Sequence, residues 1–180
     1  MRLFVAVEIP PPAEAIEASG RNPAPEHLTL RFLGEVPQER LSEIASPLAN
    51  VARATPEFDL VLEGVGAFPT SRNPRVVWVG VTQGRLEVSE LARRVAAALD
   101  PVVPSSPRES FVPHLTLFRV RSPSHRRRAD ALLSGTEPPP VPRTVHVGEI
   151  YLKESTLTPT GAHHRTVESW ALAGSSSVPG

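Results

Sequence analysis

The tetrapeptide His-Leu-Thr-Leu occurs twice in this chain, at 27–30 and at 114–117, once in each half. In an extended strand, successive side chains point to opposite faces. His27 and Thr29 therefore share one face while Leu28 and Leu30 share the other, and the same holds for His114 and Thr116 against Leu115 and Leu117. Each copy reads as a strand with an apolar underside and an imidazole beside a hydroxyl on top. Leucines alone suffice to build a duplicated core; repeating histidine and threonine as well requires a reason beyond packing. If the two copies lie side by side, two imidazoles face one space, each with a hydroxyl as neighbour.

Imidazole ionises near pH 6.5, so close to neutrality one ring can be neutral and the other charged. Two such rings on opposite sides of a phosphorus atom can divide the proton traffic of an in-line displacement. One takes a proton from the nucleophile, and the other gives one to the leaving oxygen. Threonine hydroxyls donate to non-bridging oxygens, and a nearby arginine adds charge-assisted donation. Such a site needs no metal, because the protein itself supplies the positive charge and the hydrogen bonds. Zinc is the competing reading of paired histidines. A zinc site wants a third ligand, and His163-His164 is a candidate donor, although adjacent strand residues point opposite ways.

Composition narrows the field. The chain has 180 residues, 40% hydrophobic and 21% charged, with 19 basic and 19 acidic side chains. Zero net charge gives no global field to attract nucleic acid, so recognition of an anion must be local. With no cysteine, disulfides and thiolate chemistry are excluded. This suits a reducing compartment. The apolar start is too short, and is interrupted at Glu8, to serve as a signal peptide; a cytoplasmic protein without membrane spans is expected.

Periodicity and turn residues give the element order. Strands are expected over 3–9, 27–33, 58–65, 75–81, 111–120, 144–152 and 163–170, with helices over 13–19, 38–53, 85–99 and 124–133. Pro47 should kink or divide its helix, Gly66-Ala-Phe-Pro69 should form a turn, and 174–180 should be a disordered tail. Trp78 reads as core, Phe68 as packing, and His125 and His146 as histidines without a role. Arg126-Arg127-Arg128 reads as a solvated helix face, with tracking of an RNA backbone as its functional alternative. The pattern predicts an α+β protein of two similar lobes, expected as one domain over 1–173.

These residues resemble a known family. Two His-x-Thr-x motifs, one per lobe, are the signature of the 2H phosphoesterases. The context is similar to their RNA 2′,3′-cyclic phosphodiesterase branch, also called 2′-5′ RNA ligase or LigT-like. The likeness runs through the opening Met-Arg-Leu-Phe-Val-Ala-Val-Glu, His27 to Gly34, Gly66 to Pro69, Pro74 to Gly80, Pro113 to Val120 and Leu152 to Ser155. It implies a bilobal fold of two pseudo-symmetric antiparallel sheets with outer helices around a central cleft. It also implies cofactor-free and metal-free opening of an RNA 2′,3′-cyclic phosphate to a 2′-phosphate, and reversible 2′-5′ ligation. Carried over residue by residue, His27 is the general acid and His114 the general base. Thr29 and Thr116 hold phosphate oxygens, and Arg119 is the supporting cation. The implied partner is RNA with cyclic phosphate ends, such as tRNA halves or oligonucleotides, bound by a monomer. A cyclic phosphodiesterase acting on a small nucleotide and a non-catalytic RNA-end-binding module are the alternatives.

Two points depart from that pattern. The segment from Pro10 to Glu26 is short for the family, which should open one wall of the cleft. Arg119 is odd-spaced from His114, so a regular strand would turn it away, and a bulge near Phe118 is needed to bring it back. Arg31, even-spaced from His27, needs no such device and is expected on spacing to be a second supporting cation.

Overall fold

The computed structural model describes residues 1–12, 26–104, 111–158 and 161–174. The expected helix over 13–19 and all but the first residue of the tail expected over 174–180 lie outside the described residues. The elements are β1 (Arg2–Ile9), β2 (Glu26–Glu35), a 3-10 turn (Gln38–Arg40), α1 (Leu41–Arg53), β3 (Phe58–Thr70) and β4 (Asn73–Val81). They continue as α2 (Arg85–Leu99), β5 (His114–Arg119), α3 (Pro123–Ser134), β6 (Arg143–Val147), β7 (Glu149–Thr158) and β8 (Gly161–Ala171). Two four-stranded antiparallel sheets result, in the orders β2-β1-β7-β8 and β5-β4-β3-β6. The motif strands β2 and β5 are each at a sheet edge, and they run beside one another with Cα atoms within 8 Å. The fold is bilobal α+β, as expected.

One apolar cluster serves both sheets. Leu3, Val5, Val7 and Leu28 from the first meet Leu60, Leu62, Val79 and Leu115 from the second, with Ile44 and Leu48 of α1 and Leu91 and Val95 of α2 joining them. The leucines beneath each histidine motif thus belong to a shared core, which leaves the opposite, open face of each motif strand for polar side chains. Glu26, at the start of β2, and Arg143, at the start of β6, add an ion pair of 3.4 Å between the sheets.

Several local expectations are corrected. α1 is not divided at Pro47: the helical bond lost there is offset by burial of Ile44, Leu48, Val51 and Ala52 along one face. Residues 66–69 do not turn but continue β3, paired to β4 as far as Thr70 opposite Asn73. The span 144–152 is two strands rather than one. β6 pairs β3 and β7 pairs β1, with the change of sheet at Gly148.

Candidate active site

The register places the site residues. In β2, His27 lies opposite Glu8, Thr29 opposite Ala6, and Phe32 opposite Phe4, so these share the face away from the core. Between them the pairing slips. Thr29 and Arg31 oppose the consecutive residues Ala6 and Val5, leaving Leu30 as a bulged residue. Arg31 is thereby rotated to the core side with Val5. There it is 8% exposed, donates to the carbonyls of Ala96 (2.7 Å) and Val103, and pairs with Asp100 at 3.1 Å. The expectation that Arg31 joins the histidines is therefore corrected: it ties β2 to the end of α2.

In β5 the same device works in the other direction. His114 lies opposite Gly80, Thr116 opposite Trp78 and Arg119 opposite Val76, while Leu117 is skipped. The bulge that odd spacing demanded is present, and it returns the exposed Arg119 to the face of His114 and Thr116. The side chains of His27, Thr29, His114, Thr116 and Arg119 thus lie on the open faces of two neighbouring edge strands.

Each imidazole has an aromatic setting. The His114 ring meets Phe68 edge-on at 4.9 Å and Trp78 at 5.9 Å. Trp78 is therefore not core. It sits half-buried on the open face over Gly66, where an added Cβ would lie 2.2 Å from the indole. Nδ1 of His114 is 2.8 Å from the Val112 carbonyl. A carbonyl only accepts, so Nδ1 carries the proton, and in the neutral ring Nε2 keeps a free lone pair.

His27 packs 4.9 Å from Phe4 and 4.7 Å, edge to face, from His164. Behind them Lys153, 4% exposed, is bonded to the Glu8 carboxylate and lies 3.2 Å from the Thr166 hydroxyl. Burial, then the neighbouring His164, then Lys153 hold the His27 pKa down at about 4. His27 is therefore neutral near pH 7 in the absence of an anion.

Lys153 is a neighbour of His27 to which the sequence reading gave no role, and His164 entered that reading only as a candidate zinc donor. Alternation had one signal to offer: of two adjacent strand histidines, one must face inward. Among the described residues, no three His, Cys, Asp or Glu side chains group as metal ligands. His146, His125, Arg126 and Arg128 make other contacts. His146 donates Nδ1–H to Asp59 at 2.8 Å, which raises its pKa. The His125 ring stacks on Phe118 at 5.8 Å. Arg126 pairs with Asp130 at 3.0 Å and Arg128 with Glu137 at 3.4 Å, both exposed.

Two edge strands with mirrored bulges, each presenting histidine and threonine beside its twin, define a class, and comparison with known proteins gives it a name. Residues 9–156 match the family model of the 2′-5′ RNA ligase superfamily, and the chain belongs to that family. An RNA 2′,3′-cyclic phosphodiesterase of Aeropyrum pernix is 36% identical over 152 residues, 84% of this chain and 85% of that one. The corresponding protein of Aquifex aeolicus is 34% identical over 155 residues, 82% of this chain and 78% of its own. Among solved structures, E. coli LigT complexed with 3′-AMP aligns with a TM-score of 0.67 at 29% identity, covering 95% of this chain and 97% of that one.

Among the described residues, no helix is long and apolar enough to cross a membrane.

Proposed function

We propose that this protein hydrolyses a terminal 2′,3′-cyclic phosphate of RNA to a 2′-phosphate and a 3′-hydroxyl, without a metal ion. Its relatives named RNA 2′,3′-cyclic phosphodiesterases support the substrate class. The observation that carries the mechanism is the 2.8 Å approach of His114 Nδ1 to the Val112 carbonyl: a proton held between them leaves Nε2 as the acceptor. On this reading Nε2 of His114 deprotonates a water, whose oxygen bonds to phosphorus. The P–O3′ bond breaks on the opposite side, and His27 gives its proton to O3′. Thr29 and Thr116 donate to the non-bridging oxygens, and Arg119 offsets the charge gathering there. His27 becomes an acid only once the phosphate lies against it, because a bound anion favours the imidazolium that burial disfavours. The same groups in the same roles give 2′-5′ ligation when a 5′-hydroxyl replaces water: His114 takes its proton, O5′ bonds to phosphorus, and O3′ leaves with the proton from His27.

The test uses EDTA-treated protein and a short RNA ending in 2′,3′-cyclic phosphate. A 2′-phosphate product is expected, with turnover falling at least 100-fold in both His27→Ala and His114→Ala, as for loss of a general acid or base. A 3′-phosphate product would overturn the acid and base assignments. Activity that depends on added metal would overturn the metal-free mechanism.

A further inference from the structure

Charge is balanced over the whole chain but not at one end of the second sheet. Between Thr70 and Val76, and between His114 and Asp130, stand seven arginines against one carboxylate, Asp130. The two segments are neighbours. The Val120 N–H donates to the Arg75 carbonyl at 2.9 Å, and Arg126 donates to the Arg72 carbonyl at 3.0 Å. The fold divides the arginine run at 126–128. Arg126 pairs with Asp130, while Arg128 pairs with Glu137 and lies 5.1 Å over the Phe118 ring, so both hold α3 in place. Arg72, Arg75, Arg119, Arg121 and Arg127 are exposed, and among the described residues none of the five pairs with a carboxylate. On other surfaces Arg40, Arg94 and Arg165 are answered by Glu43, Glu90 and Glu154.

The unanswered cations continue from the site. Val120 packs with Phe118 against the small cluster of Val77, Ala129 and Leu132. Its chain neighbours Arg119 and Arg121 are therefore turned the other way, and Arg119 shares its face with His114 and Thr116. Arg121 lies roughly 17 Å from Thr116 along extended chain, too far to serve a phosphate held between the histidines. A lone exposed arginine is solvated charge and nothing more. Five together repel one another, and a polyanion laid along them offsets that repulsion while releasing its own counterions. The planar guanidinium suits phosphate oxygens in particular.

We infer that Arg121, Arg127, Arg72 and Arg75 form a docking track for the phosphate backbone of the RNA on the 5′ side of its reacting end. The chain then leaves the site past Arg119 and over the junction of β5 with α3, and the substrate is a polynucleotide rather than a cyclic mononucleotide. The inference rests on the reading of the site as one for RNA cyclic phosphate ends and deepens it. The track is blind to sequence, because backbone contacts position an RNA without reading its bases.

The experiment compares Arg121→Gln/Arg127→Gln with Arg53→Gln/Arg85→Gln, a matched removal of two exposed cations from other surfaces. Each is assayed over a range of salt on a twelve-nucleotide RNA ending in 2′,3′-cyclic phosphate and on a nucleoside 2′,3′-cyclic monophosphate. Melting temperatures should agree, because all four side chains are exposed. On the RNA, the track variant should flatten the slope of log KM against log salt by about 1.4, at roughly 0.7 per lost contact with a single strand. KM should rise about 10-fold near 0.15 M salt by the same rule, with kcat within about twofold, as for uniform binding. The control variant should match the unaltered protein, and neither variant should change KM on the mononucleotide. Arg121→Lys/Arg127→Lys should restore the slope, since lysine also neutralises a phosphate. A second readout needs no turnover: fluorescence anisotropy of a labelled twelve-nucleotide RNA with a 3′-phosphate end should show the same loss of slope in Kd. That loss, in a protein that turns over neither substrate, would support the track and overturn the proposed reaction. Turnover with both slopes unchanged in the track variant, or with KM raised equally on the mononucleotide, would overturn the track and leave the reaction standing.

Discussion

His27 is set apart from His114 by what surrounds it. Phe4 removes water from one side, the His164 ring meets its face or edge on another, and the Lys153 ammonium adds like charge from behind, partly answered by Glu8. Neutral imidazole is the stable form there, and each of these influences acts before substrate arrives. In the free protein the His27 ring resonances should titrate near pH 4. His164→Gln should move that midpoint upward, and so should saturating inorganic phosphate. Two-dimensional NMR of the histidine rings checks both, and a midpoint unmoved by phosphate would sink the idea that the anion charges the acid. The stability consequence has a definite sign. The folded pKa lies below the unfolded value of about 6.5, so the unfolded chain binds the extra proton in the interval between them. The contribution from His27 is complete above pH 6.5 and is lost as pH falls through about 4. The drop in melting temperature over that window should be shallower in His27→Gln.

At the level of strands, the bulges decide which arginine shares a face with the paired histidines. Strict period-two counting sends Arg31 inward with His27 and turns Arg119 away; one slipped residue in each strand reverses both outcomes. Histidine and threonine were legible because they precede the slip. Arg31 was not, because nothing in His-Leu-Thr-Leu-Arg marks Leu30 as unpaired, whereas the demand for Arg119 in the cleft pointed to a bulge in β5. Substitution separates the two roles. Arg31→Leu removes the bonds to the Ala96 and Val103 carbonyls and the ion pair with Asp100, although the Ala96 carbonyl keeps the Asp100 N–H. It should cost roughly 2–4 kcal/mol of stability, with kcat of the folded fraction nearly intact. Arg119→Leu, exposed, should change stability by less than about 0.5 kcal/mol and lower kcat/KM on cyclic-phosphate RNA about 10- to 100-fold, the loss of a charge-assisted donor. Chemical denaturation and steady-state kinetics on both variants check the pair, and the reverse pattern would return Arg31 to the site.

For the whole molecule, the order of elements and the duplication were legible, but the way the halves join was not. The stretch from Thr144 to Leu152 reads as one alternating strand, yet its buried positions pass from Val145 and Val147 to Ile150 and Leu152. That slip in parity at Gly148 is where the chain leaves one sheet for the other. The consequence is mechanical as well as topological. β6 and β7 are covalently continuous across the two sheets, and Leu3, Val5 and Leu28 share one cluster with Leu60, Leu62 and Val79. Two lobes that each possessed a private core would unfold separately; two faces of a common core lose their burial together. The chain contains two tryptophans, and they sit one in each sheet, Trp78 in β4 and Trp170 in β8. Trp78→Phe therefore leaves a reporter on the β1 sheet alone, and Trp170→Phe leaves one on the β4 sheet alone. Urea unfolding of each variant, followed by its own tryptophan and by far-ultraviolet circular dichroism, should give coincident transitions by both probes and equal slopes in the two variants. A tryptophan transition that parts from the dichroism, or a slope about half that of the other variant, would mean that the sheets come apart before they melt. The alignment of His27 with His114 would then depend on docking of two lobes rather than on a single core.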